Sequence, residues 1–122
     1  MKVVDVSKIT KQRMTDQPLF EGGEVYGQLG FLSDVAKGLH IGVMTFEPGG
    51  VTKFHVHDFE QVLYAISGKG RVATEKEEYT INPGTIVFFA PGERHLHGAT
   101  RDSSFVQLTI MNAGQATEIH RM

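Results

Sequence analysis

The 122-residue chain contains no cysteine. That absence removes disulfides, thiolate nucleophiles and thiolate metal ligands together, so any metal has to be held by nitrogen and oxygen. It also fits a reducing, cytoplasmic setting. There is no basic excess either: 12 Lys and Arg stand against 14 Asp and Glu, for a net charge of −2. Neutralising phosphates needs a positive surface, so nucleic acid is a poor partner for this chain. No stretch approaches the roughly 18 consecutive apolar residues of a membrane span, and residues 1–10 lack a basic segment leading into an apolar run. A soluble, unprocessed protein with no membrane partner is expected. Helical patterning is nearly missing as well. Only residues 7–16 have a helix-compatible composition, and they carry few apolar side chains before Pro18 closes the stretch.

What is present is glycine, 14 residues in all, punctuating short apolar runs. The runs 28–32, 39–46, 61–66, 71–75, 85–90 and 105–111 are rich in Val, Ile, Phe, Tyr and Thr, as strands require. Pro48-Gly49-Gly50, Asn82-Pro83-Gly84 and Pro91-Gly92 supply tight turns between them. Many short strands at close spacing predict one all-β domain over 1–122, an antiparallel sandwich or barrel. An irregular arm covers about 1–22, and the core covers about 39–111. The run 61–66 is apolar on both alternating faces. One face then looks inward, and the other is covered by a second sheet or a second subunit.

Four of the six histidines fall into two pairs, His55-x-His57 and His95-x-His97. Residues two apart in a strand point to the same side, so each pair can converge on one point. Paired alternation in two separate segments points to a shared metal or catalytic centre. His40 shares strand parity with Gly42, Met44 and Phe46, which makes His40 and Met44 candidates for a substrate pocket if that face is the inner one. His120 reads as surface.

Gly49, His55, His57, Gln61 and Gly68 keep the spacing of one motif, and the stretch from Pro83-Gly84 to Pro91-Gly92-Glu93-Arg94-His95 forms a second. These two blocks resemble the paired signature motifs of the cupin superfamily, over about residues 39–110. The resemblance implies a small antiparallel β-barrel or jelly roll carrying a metal near its mouth. It implies His55, His57, position 61 and His95 as ligands. Position 61 departs from the usual glutamate, being glutamine. Glu60 stands beside it, but the motif spacing puts Gln61 in the ligand register, and an adjacent strand residue points to the other face. Ala99 and Ala90 also depart, where asparagine and proline are common.

Thr45-Phe46-Glu47-Pro48-Gly49, Gln61 itself, and Gly92 through Thr100 are similar to a cupin subgroup. It includes the manganese-dependent cupin hydroxynitrile lyases and cupins associated with carboxymuconolactone decarboxylases. That likeness implies one divalent metal ion per subunit, manganese first, with iron, nickel or zinc also accommodated by imidazole and oxygen donors. It also implies a homodimer. The lyases carry a further histidine on the last strand where this chain has Gln107. An amide can hydrogen-bond a substrate but cannot shuttle a proton near neutral pH.

Three neutral imidazoles and a neutral amide leave the full dipositive charge on a metal, which favours Lewis-acid action on a carbonyl or hydroxyl oxygen. The expected activity is a lyase or isomerase reaction on a small polar organic molecule such as a hydroxy, oxo or sugar acid, with His97 as the catalytic proton donor or acceptor. His97 as a fifth ligand or a packed residue stays open. A dioxygenase using a redox-active metal is a second enzyme reading, and a barrel that only binds a small ligand is a third, since fold alone decides no function.

Overall fold

The apolar runs become the long strands, and the pairings between them decide which side chains meet. In this computed structural model, residues 1–113 and the backbone of 117–119 are described. The strands are β1 (Gln12–Arg13), β2 (Phe20–Glu21), β3 (Val25–Gln28), β4 (Leu39–Phe46), β5 (Val51–Thr52), β6 (His55–His57), β7 (Gln61–Gly68), β8 (Gly70–Thr74), β9 (Glu78–Ile81), β10 (Ile86–Phe89), β11 (His95–Ala99), β12 (Phe105–Asn112) and β13 (Thr117–Ile119). Every pairing is antiparallel. One sheet has the order β1-β3-β4-β12-β7-β10. The second runs β13-β6-β11-β5-β2, with β8 pairing to β11 and β9 to β8. The expected all-β jelly roll is therefore present as two sheets closing over one core. Among the described residues, no helix is long and apolar enough to cross a membrane.

Both sheets contribute to that core. Val25, Met44, Phe46, Leu63, Ala65, Phe89 and Phe105 come from the first, and Phe20, Val72, Ile81 and Ala99 from the second. Each large apolar side chain buried this way stabilises the fold by roughly 1.5–3 kcal/mol before entropy is counted. The alternation is clean along β7, where Leu63 and Ala65 are buried while Tyr64 and Ile66 face out. Gly98 allows β11 to lie close to β5, since a Cβ there would collide with Gly50 O and Val51.

Two local expectations differ from the structure. The strand expected at 28–32 is shifted to Val25–Gln28, because Gly30 adopts φ +73° and turn bonds from Ser33 N to Gly30 O and Ala36 N to Leu32 O replace ladder bonds. The arm at 1–22 is partly ordered. It contains a 3-10 turn at Val6–Lys8 and the short strands β1 and β2. Gln28 pins it by donating Nε2–H bonds to Val6 O (2.9 Å) and Ile9 O (2.8 Å).

Candidate metal centre

The two histidine pairs meet where β6 lies against β11, with His55 directly opposite His95. All four imidazoles are buried, as is Gln61, the first residue of β7 in the other sheet. Three of the rings are anchored by the backbone. His55 Nδ1 lies 2.9 Å from Lys53 O, His57 Nδ1 3.1 Å from Phe59 O, and His95 Nδ1 2.8 Å from Glu93 O. A carbonyl oxygen only accepts, so each Nδ1 carries the proton and each Nε2 keeps its lone pair. Aromatic faces fix the ring planes. Phe59 stacks on His57 at 4.1 Å, and Phe89 on His95 at 3.9 Å.

Two of these lone pairs converge on another acceptor. Gln61 Oε1 lies 2.8 Å from His57 Nε2 and 3.3 Å from His95 Nε2. Acceptors facing acceptors in a buried space is the donor chemistry of a cation site. The residues present therefore fit a divalent ion. Donor nitrogens of His55, His95 and His97 lie within 4.8 Å of one another, a group that could hold a metal ion. His57 joins this group through Gln61. Structural proximity thus groups His97, which the sequence left open as a fifth ligand, with His55 and His95. Burial pushes the imidazoles of His55 down to about 4 and His95 to about 3, with the neighbouring imidazoles adding to the effect. His97 is lowered well below its ordinary value for the same first reason. All three are neutral near pH 7, as metal ligands must be.

His97 emerges one pleat beyond His95, with Phe46 edge-on to its ring at 5.8 Å. Its Nδ1 lies 3.1 Å from Gln107 Oε1 on β12, and Gln107 Nε2 donates to Thr109 Oγ1 at 2.8 Å.

A cavity of about 130 Å³ opens beside these residues. His55, His57, Gln61, His97, Gln107, Thr52 and Thr109 form its polar floor, and Met14, Leu19, Phe20, Leu29, Met44 and Met111 its apolar wall. Met44, expected from strand parity, and Gln107, expected from the resemblance, both line it. His40 does not. It shares the inner parity but lines a separate recess with Gly30, Leu32 and Ala36, because the Leu29 side chain lies over Gly42, where a Cβ would strike it. Glu60 is exposed, whereas Gln61 is buried. His120 lies outside the described residues. Met14, Leu19, Leu29 and Met111 carried no sequence motif. Met111 alone could have been found, by its two-residue steps from Gln107 and Thr109 along β12.

Residues 42–111, more than half of the chain, match the family described as the cupin domain. This chain belongs to the cupin family. It is similar to an (R)-mandelonitrile lyase from Granulicella tundricola, 41% identical over 70 residues. The match covers 55% of this chain and 52% of the relative, so it spans about half the relative's length. Among solved structures it is similar to a cupin-like protein from Thermotoga maritima, with TM-score 0.81, 22% identity, and coverage of 99% of this chain and 90% of that one. It is also similar to the polyketide cyclase RemF from Streptomyces resistomycificus, with TM-score 0.84, 17% identity, and coverage of 100% and 87%. At these identities the two structures establish the cupin fold alone.

Proposed function

We propose that this cupin binds one divalent metal ion, manganese first, through Nε2 of His55, His57 and His95 and Oε1 of Gln61, and acts as a lyase on a small hydroxy or oxo compound. The observation that carries the reading is the set of inward lone pairs meeting at Gln61 Oε1. Once bound, the ion supplies a Lewis acid that polarises a substrate oxygen.

The cavity wall sharpens the substrate class. Among the described residues that line it there is no Asp, Glu, Lys or Arg, so a bound ion would be the one charge partner for a substrate carboxylate. Its volume of about 130 Å³ is well below the roughly 300–1,000 Å³ of pockets for drug-sized ligands. An uncharged molecule with an apolar body and one polar head fits this wall and floor better than a polyol. The mandelonitrile lyase relative, named for an aryl cyanohydrin, is in keeping with that class.

The proton in this reading is moved by His97, which lines the cavity. Its Nε2 takes the hydroxyl proton of the substrate. The O–H electron pair becomes the second bond of a carbonyl as the adjacent carbon–carbon bond breaks, and the broken bond's pair leaves with the departing fragment. Thr52, whose Oγ1 accepts from His97 N–H at 3.1 Å, holds the backbone of this residue. The apolar wall excludes water around the reacting oxygen.

The test is metal content by plasma mass spectrometry on protein purified without tag or chelator, followed by turnover of aryl and alkyl hydroxynitriles and related hydroxy ketones. About one ion per chain is expected, lost in the His55→Ala plus His57→Ala variant, with turnover following the metal. Stoichiometric metal without turnover would leave a ligand-binding barrel, and no metal after reconstitution would overturn the reading.

The chain is further proposed to pair with a second copy of itself through the outer face of its first sheet. Leu39, Tyr64, Ile66, Ile86 and Phe88 are exposed there. Tyr64 stands between Ile86 and Leu108, and Val62 between Phe88 and Ile110. The open part of the face spans β10, β7, β12 and the start of β4, since Val43 and Thr45 are buried, and the two rows carry no charged side chain. Apolar patches of that extent mark interaction sites, and a two-fold contact of neutral faces brings no like charges together.

A further inference from the structure

The buried Gln107 is not used by the metal set, yet it is completely enclosed, with 0% exposure. Both halves of its amide are engaged. Oε1 faces His97 Nδ1 at 3.1 Å and Nε2 donates to Thr109 Oγ1 at 2.8 Å. We infer that Gln107, held by Thr109, is a positioning residue that fixes His97 as the Nδ1–H tautomer, so that its Nε2 presents a lone pair to the cavity. The inference rests on the reading of His97 as the proton acceptor and deepens it.

The other three imidazoles take their tautomer from backbone carbonyls, whose direction cannot change. His97 has no such carbonyl. Its Nδ1 partner is a side-chain amide on β12, ten residues along the chain. An amide can turn either end toward a ring nitrogen. Turned the other way, it would donate to Nδ1 and leave the proton on Nε2. That N–H would sit in the group formed with His55 and His95, where the other donors prepare a place for positive charge, and it could not accept a substrate proton. Thr109, buried beside it on the same face of β12, accepts from the amide nitrogen, and with the nitrogen turned there the amide oxygen faces His97.

An amide also ends the chain of proton transfer. A histidine or carboxylate at position 107 could take the proton onward, whereas glutamine exchanges none near neutral pH. The proton taken up at His97 Nε2 therefore returns to the cavity side, to the departing fragment or to a molecule entering after it. This makes the tautomer lock a determinant of where the proton goes.

The experiment is two-bond 1H–15N correlation of the histidine rings in metal-free protein near pH 7, which separates protonated from lone-pair nitrogens residue by residue. Wild type is expected to show His97 with Nδ1 protonated and Nε2 bare. Gln107→Glu keeps an acceptor and is expected to preserve that pattern. Gln107→Leu is expected to convert His97 to a mixture or to the Nε2–H form, with His55, His57 and His95 unchanged. Thr109→Val leaves the amide in place but frees it to turn, and is expected to give two His97 tautomers. An Nε2–H form in wild type overturns the inference without any variant, as does a single unchanged tautomer in Gln107→Leu or Thr109→Val. The spectra need no metal and no substrate. A chain that takes up no ion, which sinks the proposed function, leaves this result standing.

Discussion

Phe88 and Phe89 are neighbours on β10, yet Phe88 is 53% exposed and Phe89 is 2% exposed. The side chains are identical and only strand parity separates them. Phe89 lies flat against the His95 ring at an interplanar angle of 16° and belongs to the core shared by both sheets. Phe88 stands opposite Val62 on the outer face, in a row that continues to Ile110. The same four strands thus carry two apolar surfaces. The inner one surrounds polar donors and holds their rings in place. The outer one encloses no polar group and leaves Tyr64, Ile66, Ile86 and Phe88 exposed. Hydrophobicity alone does not tell these surfaces apart, whereas the residues alternating with them do.

The strongest test of that contrast is Phe89→Ala. Removing a buried ring should cost about 3–5 kcal/mol of stability, because the cavity left behind adds to the lost transfer energy. It should also loosen His95, whose plane is set by the stacking as well as by Glu93 O. Metal affinity is expected to fall about tenfold or more, as when other supports of a ligand are removed. Denaturant unfolding and metal titration of the same variant would check both. A loss of stability with unchanged affinity would reduce Phe89 to packing.

Acid should distinguish the two surfaces next. His55 and His95 are held down to about 4 and about 3 by burial, against 6.5 for the free side chain. Below about pH 6.5 the unfolded chain binds a proton at each that the folded chain does not, so folding loses about 1.4 kcal/mol per pH unit for each histidine. This contribution is complete above pH 6.5, is lost as the pH falls, and levels off below the folded values. Unfolding midpoints of metal-free protein between about pH 7 and about pH 5 are expected to drop accordingly. Since no Asp, Glu or His stands in the outer rows, changes there should leave the slope intact. A flat profile would mean the inner imidazoles are better hydrated than their burial implies.

Much of the site was legible in the sequence, for a physical reason. The period of two in a strand puts His55 with His57 and His95 with His97, and the same period separates Gln61 from Glu60. The outer face was legible too, because residues 61–66 are apolar at both parities. The rest depended on the third dimension. The separation of His40 from the cavity follows from Leu29 lying over Gly42, a contact between β4 and a turn that no period encodes. The role of Gln107 requires knowing that β12 brings it beneath His97. The wall residues Met14 and Leu19 sit in a segment fixed by Met14 N to Val25 O and Lys53 N to Leu19 O bonds, and strands of two residues are too short to show any alternation.

The smallest effect on the isolated fold should come from Phe88→Glu, and it is the most informative about the outer surface. The position is half open, so the monomer should change by no more than about 0.5 kcal/mol. If two copies meet there, however, each interface would bury two carboxylates among Val62, Ile86 and Ile110. Desolvating those charges without partners costs several kcal/mol, enough to dissociate a dimer of micromolar affinity. Light scattering at micromolar concentration should therefore give a dimer for the wild type and a monomer for the variant, with the same metal content per chain. Wild type that is already monomeric would sink the pairing, and the outer face would then be an apolar sheet that water tolerates. Dimeric Phe88→Glu would move the interface elsewhere. Loss of metal together with the dimer would be the most consequential result. It would mean that the two faces are coupled through the strands, and that the inner donors need the outer contact to hold their place.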